Sequence, residues 1–578
     1  MLDFAKLETI GITRSLILDL CIYYITVRFF IWVAKPFIFT SPLSHLPGPP
    51  PQSWFKGNLG QLFNAKGLPF HQSLVDDYGG MVKVYGFFGD EQLYVSDPKA
   101  LQSIVLKDQD AYEETDVFID SNRVVFGPGL VATTGEVHKR QRKLVMPVFS
   151  VAQLKALTPL FYDIAEKLSD VLSRESNSQY HHTGKSVLDM NEWMSRVALE
   201  SVGQAVLNYS FDPLNSAANN PYTEAIKELI PTLFSLALLR QFAPFLSHIG
   251  SDSFRRKVVE WMPNRTIQKL KDISDVMHNT AKSILQERRE NIRREHGKPD
   301  GEAKDIISVL LRENDRAPLE EKMTDKELTG QMTVLIFGAQ DTTSSCLSRT
   351  LDLLAMNPDI QAKVREEVQA AVAGQDATAS SPRLGYDEIS ALPWLDAVLK
   401  ETLRLYPPVP FVRRTAVKER TLFYSVSDLG DLESDSSDTT NSVTVPVGTT
   451  LFVSIAGANR LESLWGADAK EWKPTRWMLP GGQKANPAAR LPGIFAGTLS
   501  FLGGGRSCPG YKFALIEMKI ILATLLMRFR FSKTDDEIVW NLSQIIAPSV
   551  RREFHDSERV VIEEAKGLPL VVGPVWNR

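Results

Sequence analysis

The chain has 578 residues, 43 % of them hydrophobic and 23 % charged, which are ordinary globular proportions that exclude bulk disorder, collagen and a coiled coil. Its 65 Lys and Arg against 69 Asp and Glu leave a net charge of −4, so the chain as a whole has no basic surplus with which to hold a nucleic acid. Three cysteines are too few for a disulfide framework and point to a reducing compartment, where a cysteine kept for chemistry acts as a thiolate.

From the N-terminus, residues 15–34 are apolar except for Ser15, Asp19, Thr26 and Arg28, a run that matches the thickness of a bilayer core. We expect residues 1–40 to be a tail and transmembrane anchor. A cleaved signal peptide has a shorter apolar core and a small-residue cleavage site, whereas a buried or interfacial helix stays open. Lys6 and Arg14 before the run balance Lys35 and Lys56 after it, so charge does not orient it. Cys21 lies within the run and needs no chemistry. Residues 41–51 include Leu46, Pro47, Gly48, Pro49, Pro50 and Pro51, a stiff extended hinge that holds a body at a set distance from the membrane. An ordinary proline-rich linker gives nearly the same geometry. Residues 52–578 show no repeat and no long linker, and read as one catalytic domain.

Alternating apolar residues predict strands at 81–85, 92–95, 444–447 and 450–454, and most of the remainder has helical period. Thr133 and Glu136 make a capping box that opens a helix on which His138 and Arg142 share a face. His181 and His182 read as surface-loop residues. Thr324 and Glu327 make a second capping box, opening a helical run that ends at Asn357 and Pro358. In its middle stand Gly338, Ala339, Gln340, Asp341, Thr342 and Thr343. An acid beside hydroxyls is poor mid-helix chemistry, and Thr342 is placed to bond back to a carbonyl one turn earlier and bend the helix. A helix with a few tolerated polar residues is the plainer alternative. Cys346, one turn further on, reads as packing.

Residues 374–384 and 427–442 read as loops, the second an Asp- and Ser-rich solvated insertion without a base. Glu401 and Arg404 are an i, i+3 pair. Glu290 with Arg293 and Glu313 with Arg316 have the same spacing, and such pairs usually lie on a solvated face. Only the apolar helix, and Pro407 and Pro408 that stop it, set the third pair apart.

The most informative stretch runs from Phe501 through Gly503, Gly504, Gly505, Arg506 and Cys508 to Pro509 and Gly510. The glycines let the backbone turn tightly against a flat ligand, and Pro509 suits the first turn of a helix. Cys508 then sits at a helix N-terminus, where the dipole and free amides stabilise a thiolate able to ligate iron from one side. Arg506 is placed to meet an anionic group on the same ligand. The alternative, a structural cysteine in a glycine-rich turn, treats five fixed positions as coincidence.

On Phe501, Gly504, Arg506, Cys508 and Gly510 the chain resembles the cytochrome P450 family of haem-thiolate monooxygenases, whose loop reads F-x-x-G-x-R-x-C-x-G. The order of its motifs, from the hinge to near the C-terminus, resembles the fungal membrane-bound members. The resemblance implies a mainly α fold with a small β-rich lobe, an α+β class, and haem b with Cys508 as its axial ligand. It implies that Phe501, Gly504 and Gly510 shape the haem loop, and that Arg506, His138, Arg142 and Arg414 bind haem, the last three matching propionate-binding positions. His138 replaces the family's usual tryptophan. Asp341 and Thr342 match the catalytic pair that organises proton delivery. Ala339 replaces a usual glycine there, narrowing the space above the iron by a methyl. Glu401, Arg404 and Arg476 match a buried structural cluster.

The candidate substrate segments, 115–131 and 409–412, contain Val117, Phe118, Phe126, Val409 and Phe411, so the guest is expected to be largely apolar. The implied reaction inserts one oxygen atom of O2 into an unactivated C–H or C=C of a lipophilic small molecule. Electrons would come from NADPH through cytochrome P450 reductase, with cytochrome b5 as an optional donor, on the cytosolic side of the endoplasmic reticulum membrane. Lys139, Arg140 and Lys143 read as solvated, or as a docking face for the donor. A terpenoid of fungal secondary metabolism is the expected substrate; fatty acids, aromatic polyketides and xenobiotics stay open. Two other functions stay open. One is a reductase-independent isomerase or dehydratase, against which the Asp341–Thr342 pair argues. The other is a membrane-bound haem sensor or electron carrier, which needs neither that pair nor a pocket.

Overall fold

A computed structural model describes residues 41–575 except 185, 213, 215–220, 296–304, 375–382, 426–439, 479–489 and 557–558, together with Asp19, Ile22, Tyr23, Thr26 and Val27. The expected anchor over 15–34, including Cys21, lies almost wholly outside the described residues. Among those described, no single helix is long and apolar enough to cross a membrane.

The smaller lobe is built on a five-stranded sheet of β1 (Met81–Tyr85), β2 (Glu91–Val95), β3 (Tyr112–Glu114), β4 (Phe411–Ala416) and β5 (Thr450–Ser454), in the order β1-β2-β5-β4-β3. Its pairs are antiparallel except β2 with β5, where Leu93 lies against Leu451. Alternation puts Leu93 and Val95 against a core with Leu451 and Val453, while Val82, Val84 and Tyr94 pack on the other face with Phe452. The strand read at 444–447 spans Thr440–Val445 instead, so the last three residues of the 427–442 loop are strand. The remainder of that loop, and most of 374–384, lie outside the described residues.

The hinge is not a free spacer. Leu43 and Leu46 are buried in the sheet's core, and the Lys83 N–H of β1 donates to the Pro47 carbonyl at 2.8 Å. A Cβ on Gly48 would stand 1.9 Å from the Lys83 oxygen, so only glycine fits that approach.

The larger lobe is helical. The helices that position the site are α1 (Asp116–Phe126), α2 (Gly135–Val145), α3 (Val151–Thr183), α4 (Met190–Leu207), α5 (Pro221–Ser235), α6 (Asp325–Met356), α7 (Pro393–Leu405) and α8 (Tyr511–Arg528). Thr324 caps α6 with Glu327 returning the bond, and the helix then runs 32 residues, roughly 48 Å, through the core. It packs along α4, where Gln340 donates to Ser195 at 2.8 Å. The box read at Thr133 and Glu136 does not form. α2 starts one residue later, on Thr134, without a side-chain cap, because the Thr133 hydroxyl is turned inward to the Gly129 and Leu130 carbonyls and Gln141. His181 and His182 are exposed, but on the last turn of α3 and not in a loop.

Candidate active site

Cys508 lies between a 3-10 turn, Gly504–Arg506, and the start of α8. Its N–H donates to the Phe501 carbonyl at 2.9 Å, which closes the loop. Gly504 has φ +60°, and a Cβ there would stand 2.2 Å from the Val105 oxygen, so glycine is required. Gly510 is under no such demand; its N–H bonds the Cys508 sulfur instead. The Phe501 ring packs against Phe495 and Tyr511.

Cys508 opens into a cavity of about 330 Å³ with Arg506, Arg142, His138, Val117, Phe118, Val409 and Phe411. Residues from four separate stretches of sequence thus converge on one space. Phe126 does not join them. It is buried in the helical core with its ring 4.7 Å from that of Phe337. Asp341 and Thr342 do not line this cavity either. They occupy the middle of α6, where the Thr342 hydroxyl donates to the Gly338 carbonyl one turn back at 2.7 Å. Gly338 itself borders open space, with nothing within 4 Å of where a Cβ would stand. Burial pushes the Asp341 carboxyl up to about 6, against a smaller opposing pull from Lys566 and Gln340. Glu517 of α8, buried beside Ser201 and Thr343, is pushed well above the carboxylate range for the same reason; nothing in its sequence context marked it.

The cavity's electrostatics are strongly cationic. Arg142 holds the Ser507 carbonyl and hydroxyl at 2.8 and 2.9 Å, and Arg506 holds the Thr133 carbonyl and Glu113. Arg414 is buried behind the wall and pairs with Glu114 at 2.8 Å. His138 is lowered to about 3, first by burial and then by Arg506, Arg142 and Arg414, so its imidazole is neutral. Three guanidiniums against two carboxylates leave a surplus positive charge around a neutral N–H donor. That is complementary to a group bearing carboxylates.

Glu401, Arg404 and Arg476 lie outside the cavity and form a closed network. Arg404 grips Glu401 with two bonds of 2.8 Å and spends its other donors on the carbonyls of Asn459, Ala469 and Glu471. Trp477 and the Lys473 N–H complete Glu401, and Arg476 reaches the Trp465 carbonyl and Asp468. The network fastens 459–477 to α7. Cys346 is buried in the core, its thiol pushed up to about 12. Of the basic residues on α2, Arg140 is tied to Glu327 and the Lys322 carbonyl, and Lys139 and Lys143 are paired with Glu136 and Glu321. Lys139 and Lys143 are solvent-exposed, as read from the sequence, while Arg140 is not.

The cytochrome P450 family model matches residues 47–552. The chain belongs to the cytochrome P450 family. It is 42 % identical over 513 residues to cytochrome P450 monooxygenase 91 of Postia placenta, covering 88 % of this chain and 92 % of that one. It is 37 % identical over 526 residues to a ganoderic acid synthetase of Ganoderma lucidum, with 89 % and 93 % covered. P450 proteins are monooxygenases that bind haem through an axial cysteine, take electrons from redox partners and act on small molecules.

Haem fits the residues present. Burial pushes the Cys508 thiol up to about 11, with Gly510 and Arg142 pulling the other way, so the sulfur needs a bound cation to be a thiolate at neutral pH. A helix N-terminus alone does not achieve it, because α8 starts at Tyr511, after Gly510. The surplus charge at Arg142, Arg506 and Arg414 awaits carboxylates, and Gly338 leaves open space on α6. Sequence reasoning missed the acids that share these arginines, Glu113 and Glu114, and the cavity residues Phe63, Arg240, Gln241 and Arg413. Arg413 carried a signal, as the first of two adjacent arginines. Arg240 and Gln241 carried none.

Proposed function

We propose that this P450 inserts one oxygen atom of O2 into an unactivated C–H or C=C of a lipophilic small molecule, a terpenoid of fungal secondary metabolism, with electrons supplied by NADPH–cytochrome P450 reductase. The observation that carries the reading is the shared cavity: Cys508 faces the same space as the apolar side chains of Val117, Phe118, Val409 and Phe411. The terpenoid class draws support from the ganoderic acid synthetase relative.

Haem, when bound, supplies the iron that activates oxygen, with the thiolate pushing electron density onto it. The chain's own residues do the rest. Arg142, Arg506 and Arg414 would hold the haem carboxylates, with His138 as a neutral donor beside them. The apolar wall excludes water and lays the substrate against the reacting face. Asp341, titrating near 6, takes and gives a proton at its carboxylate oxygens. The Thr342 hydroxyl, its hydrogen given to Gly338, offers its oxygen lone pairs to an incoming donor.

Membrane attachment through residues 1–40, at the endoplasmic reticulum with the body on the cytosolic side, is part of this proposal, with cytochrome b5 as an optional donor. It is supported by exposed Phe245, Leu246 and Trp261 in two short helices, and by exposed Trp54 and Phe55 just after the hinge. Phe55, Phe87 and Phe242 are in successive ring contact at 5.7 and 5.4 Å, joining the two groups. Retention on microsomes after high-salt washing, lost when residues 1–40 are removed, is expected.

Cys508→Ser is the test of the chemistry. The wild-type holoenzyme should give the red-shifted Soret band of a thiolate-ligated carbonyl adduct and NADPH-dependent product from a panel of lipophilic scaffolds. The variant should lose both, and a variant retaining the band would overturn Cys508 as the ligand.

A further inference from the structure

The cavity has a second cationic side that the haem does not account for. Arg413 on β4 and Arg240, in the 3-10 turn Leu239–Phe242 that follows α5, both line it. Strand alternation sends Arg413 and Arg414 in opposite directions. Arg414 turns to Glu114 and contributes to the field that depresses His138, together with Arg142 and Arg506. Arg413 turns the other way. Its guanidinium lies 5.1 Å from the centre of the Phe63 ring and donates to Gln241 Oε1 at 2.9 Å.

Neither Arg413 nor Arg240 has a carboxylate partner among the described residues. Glu114, the acid whose charge Arg413 feels, is held by Arg414. The Arg240 Nε is buried and has no hydrogen-bond partner. Burial pushes both guanidiniums down to about 10, and the charge of Arg240 depresses Arg413 further. Two half-buried cations facing one space, with donors unspent, favour an anion there. The wall beside them is aromatic and aliphatic, from Phe63, Val117, Phe118 and Phe411, so the anion must be attached to an apolar body. Guanidinium forks match a carboxylate in shape as well as in charge.

We propose that the substrate is a lipophilic carboxylic acid, its carboxylate clamped by Arg240 and Arg413 and its apolar body lying along the Phe63, Val117 and Phe118 wall toward the haem site. This rests on the monooxygenase reading and narrows its substrate class. It also sets the region of attack: the clamp fixes one end of the molecule, so the oxidised carbon is remote from the carboxylate.

The test compares acids with their neutral esters on the purified holoenzyme by equilibrium dialysis at pH 7.5. The probes are hexadecanoic acid with methyl hexadecanoate, and abietic acid with methyl abietate. At least one acid should bind ten-fold or more tighter than its ester. The preference should fall to within about two-fold in Arg240→Gln/Arg413→Gln, and partly in Arg240→Gln alone, whose Nε has no protein partner to lose. Arg240→Lys/Arg413→Lys should fold and retain a weakened preference. No acid preference in either pair, or a preference that survives the double Gln variant, overturns the proposal. So does loss of haem from the Arg240→Gln holoenzyme, which would assign these arginines to the haem carboxylates. The carbonyl spectrum of the same preparations reports thiolate ligation separately, so failure of the monooxygenase reading is distinguishable from failure of the clamp.

Discussion

Arg404 and Arg413 are a few residues apart in sequence, on either side of Pro407 and Pro408, the first buried and the second half-buried, and they are in opposite electrostatic states. Arg404 has an acid gripped by two bonds and three backbone carbonyls for its remaining donors, and with Arg476 it leaves Glu401 fully occupied. Arg413 has one neutral acceptor, Gln241, and a neighbouring cation. A saturated network fixes structure, because every component needs the others and none has capacity for a ligand. An unsaturated one stores that capacity at a cost to the ligand-free fold.

The comparison is broken most severely by Glu401→Gln. That change leaves the buried Arg404 guanidinium without its acid, while Arg476 keeps Asp468, and should cost about 3–5 kcal/mol. Thermal unfolding of the holoenzyme and the yield of haem-loaded protein report it; an unchanged melting temperature would show the network to be dispensable.

Asp341 sharpens the same comparison with an acid that has a neutral partner, Gln340, and no cation bonded to it. Its carboxyl rises from 3.8 unfolded to about 6 folded, so the folded chain keeps a proton that the unfolded chain has released. The stability this contributes is full below pH 3.8 and is lost as pH rises through 6. The difference is on the order of 3 kcal/mol. Denaturant melts between pH 4 and 7 should show that decline in the wild type and a flatter profile in Asp341→Asn. Identical profiles would mean that Asp341 titrates as it does in solvent.

Thr342→Ala should be the mildest change to the fold. It removes one hydroxyl bond to Gly338, worth about 1 kcal/mol or less, and little packing. Haem content should be unchanged, while product formed per NADPH falls several-fold and hydrogen peroxide release rises. Unchanged coupling would remove Thr342 from the proton path.

What was legible in the sequence was local or stopped by an unmistakable neighbour. The box at Thr324 and Glu327 is contained within four residues, and α6 follows from it. Glu401 and Arg404 sit one turn apart on an apolar helix that two prolines terminate. Where two short-range options competed, the sequence did not decide. Thr133 and Thr134 are both competent caps, and the inward pull of Gln141 on Thr133 is a tertiary effect. Phe118 and Phe126 are eight residues apart on one helix, and only the position of α6 sends Phe126 to the core. The Arg413–Gln241 contact joins residues 172 apart, and no periodicity announces it.

The docking of the hinge bears on how this protein is handled. β1 is an edge strand, and an uncovered edge is a template for pairing with another chain. Pro47 satisfies one of its free amides, and Leu43 and Leu46 plug the sheet beneath. A shortened chain that began at the end of the proline run would bare that strand and empty two apolar sockets together, turning an attempt at solubilisation into a route to aggregation. The cut belongs before residue 41, so that the body carries its own edge guard with it.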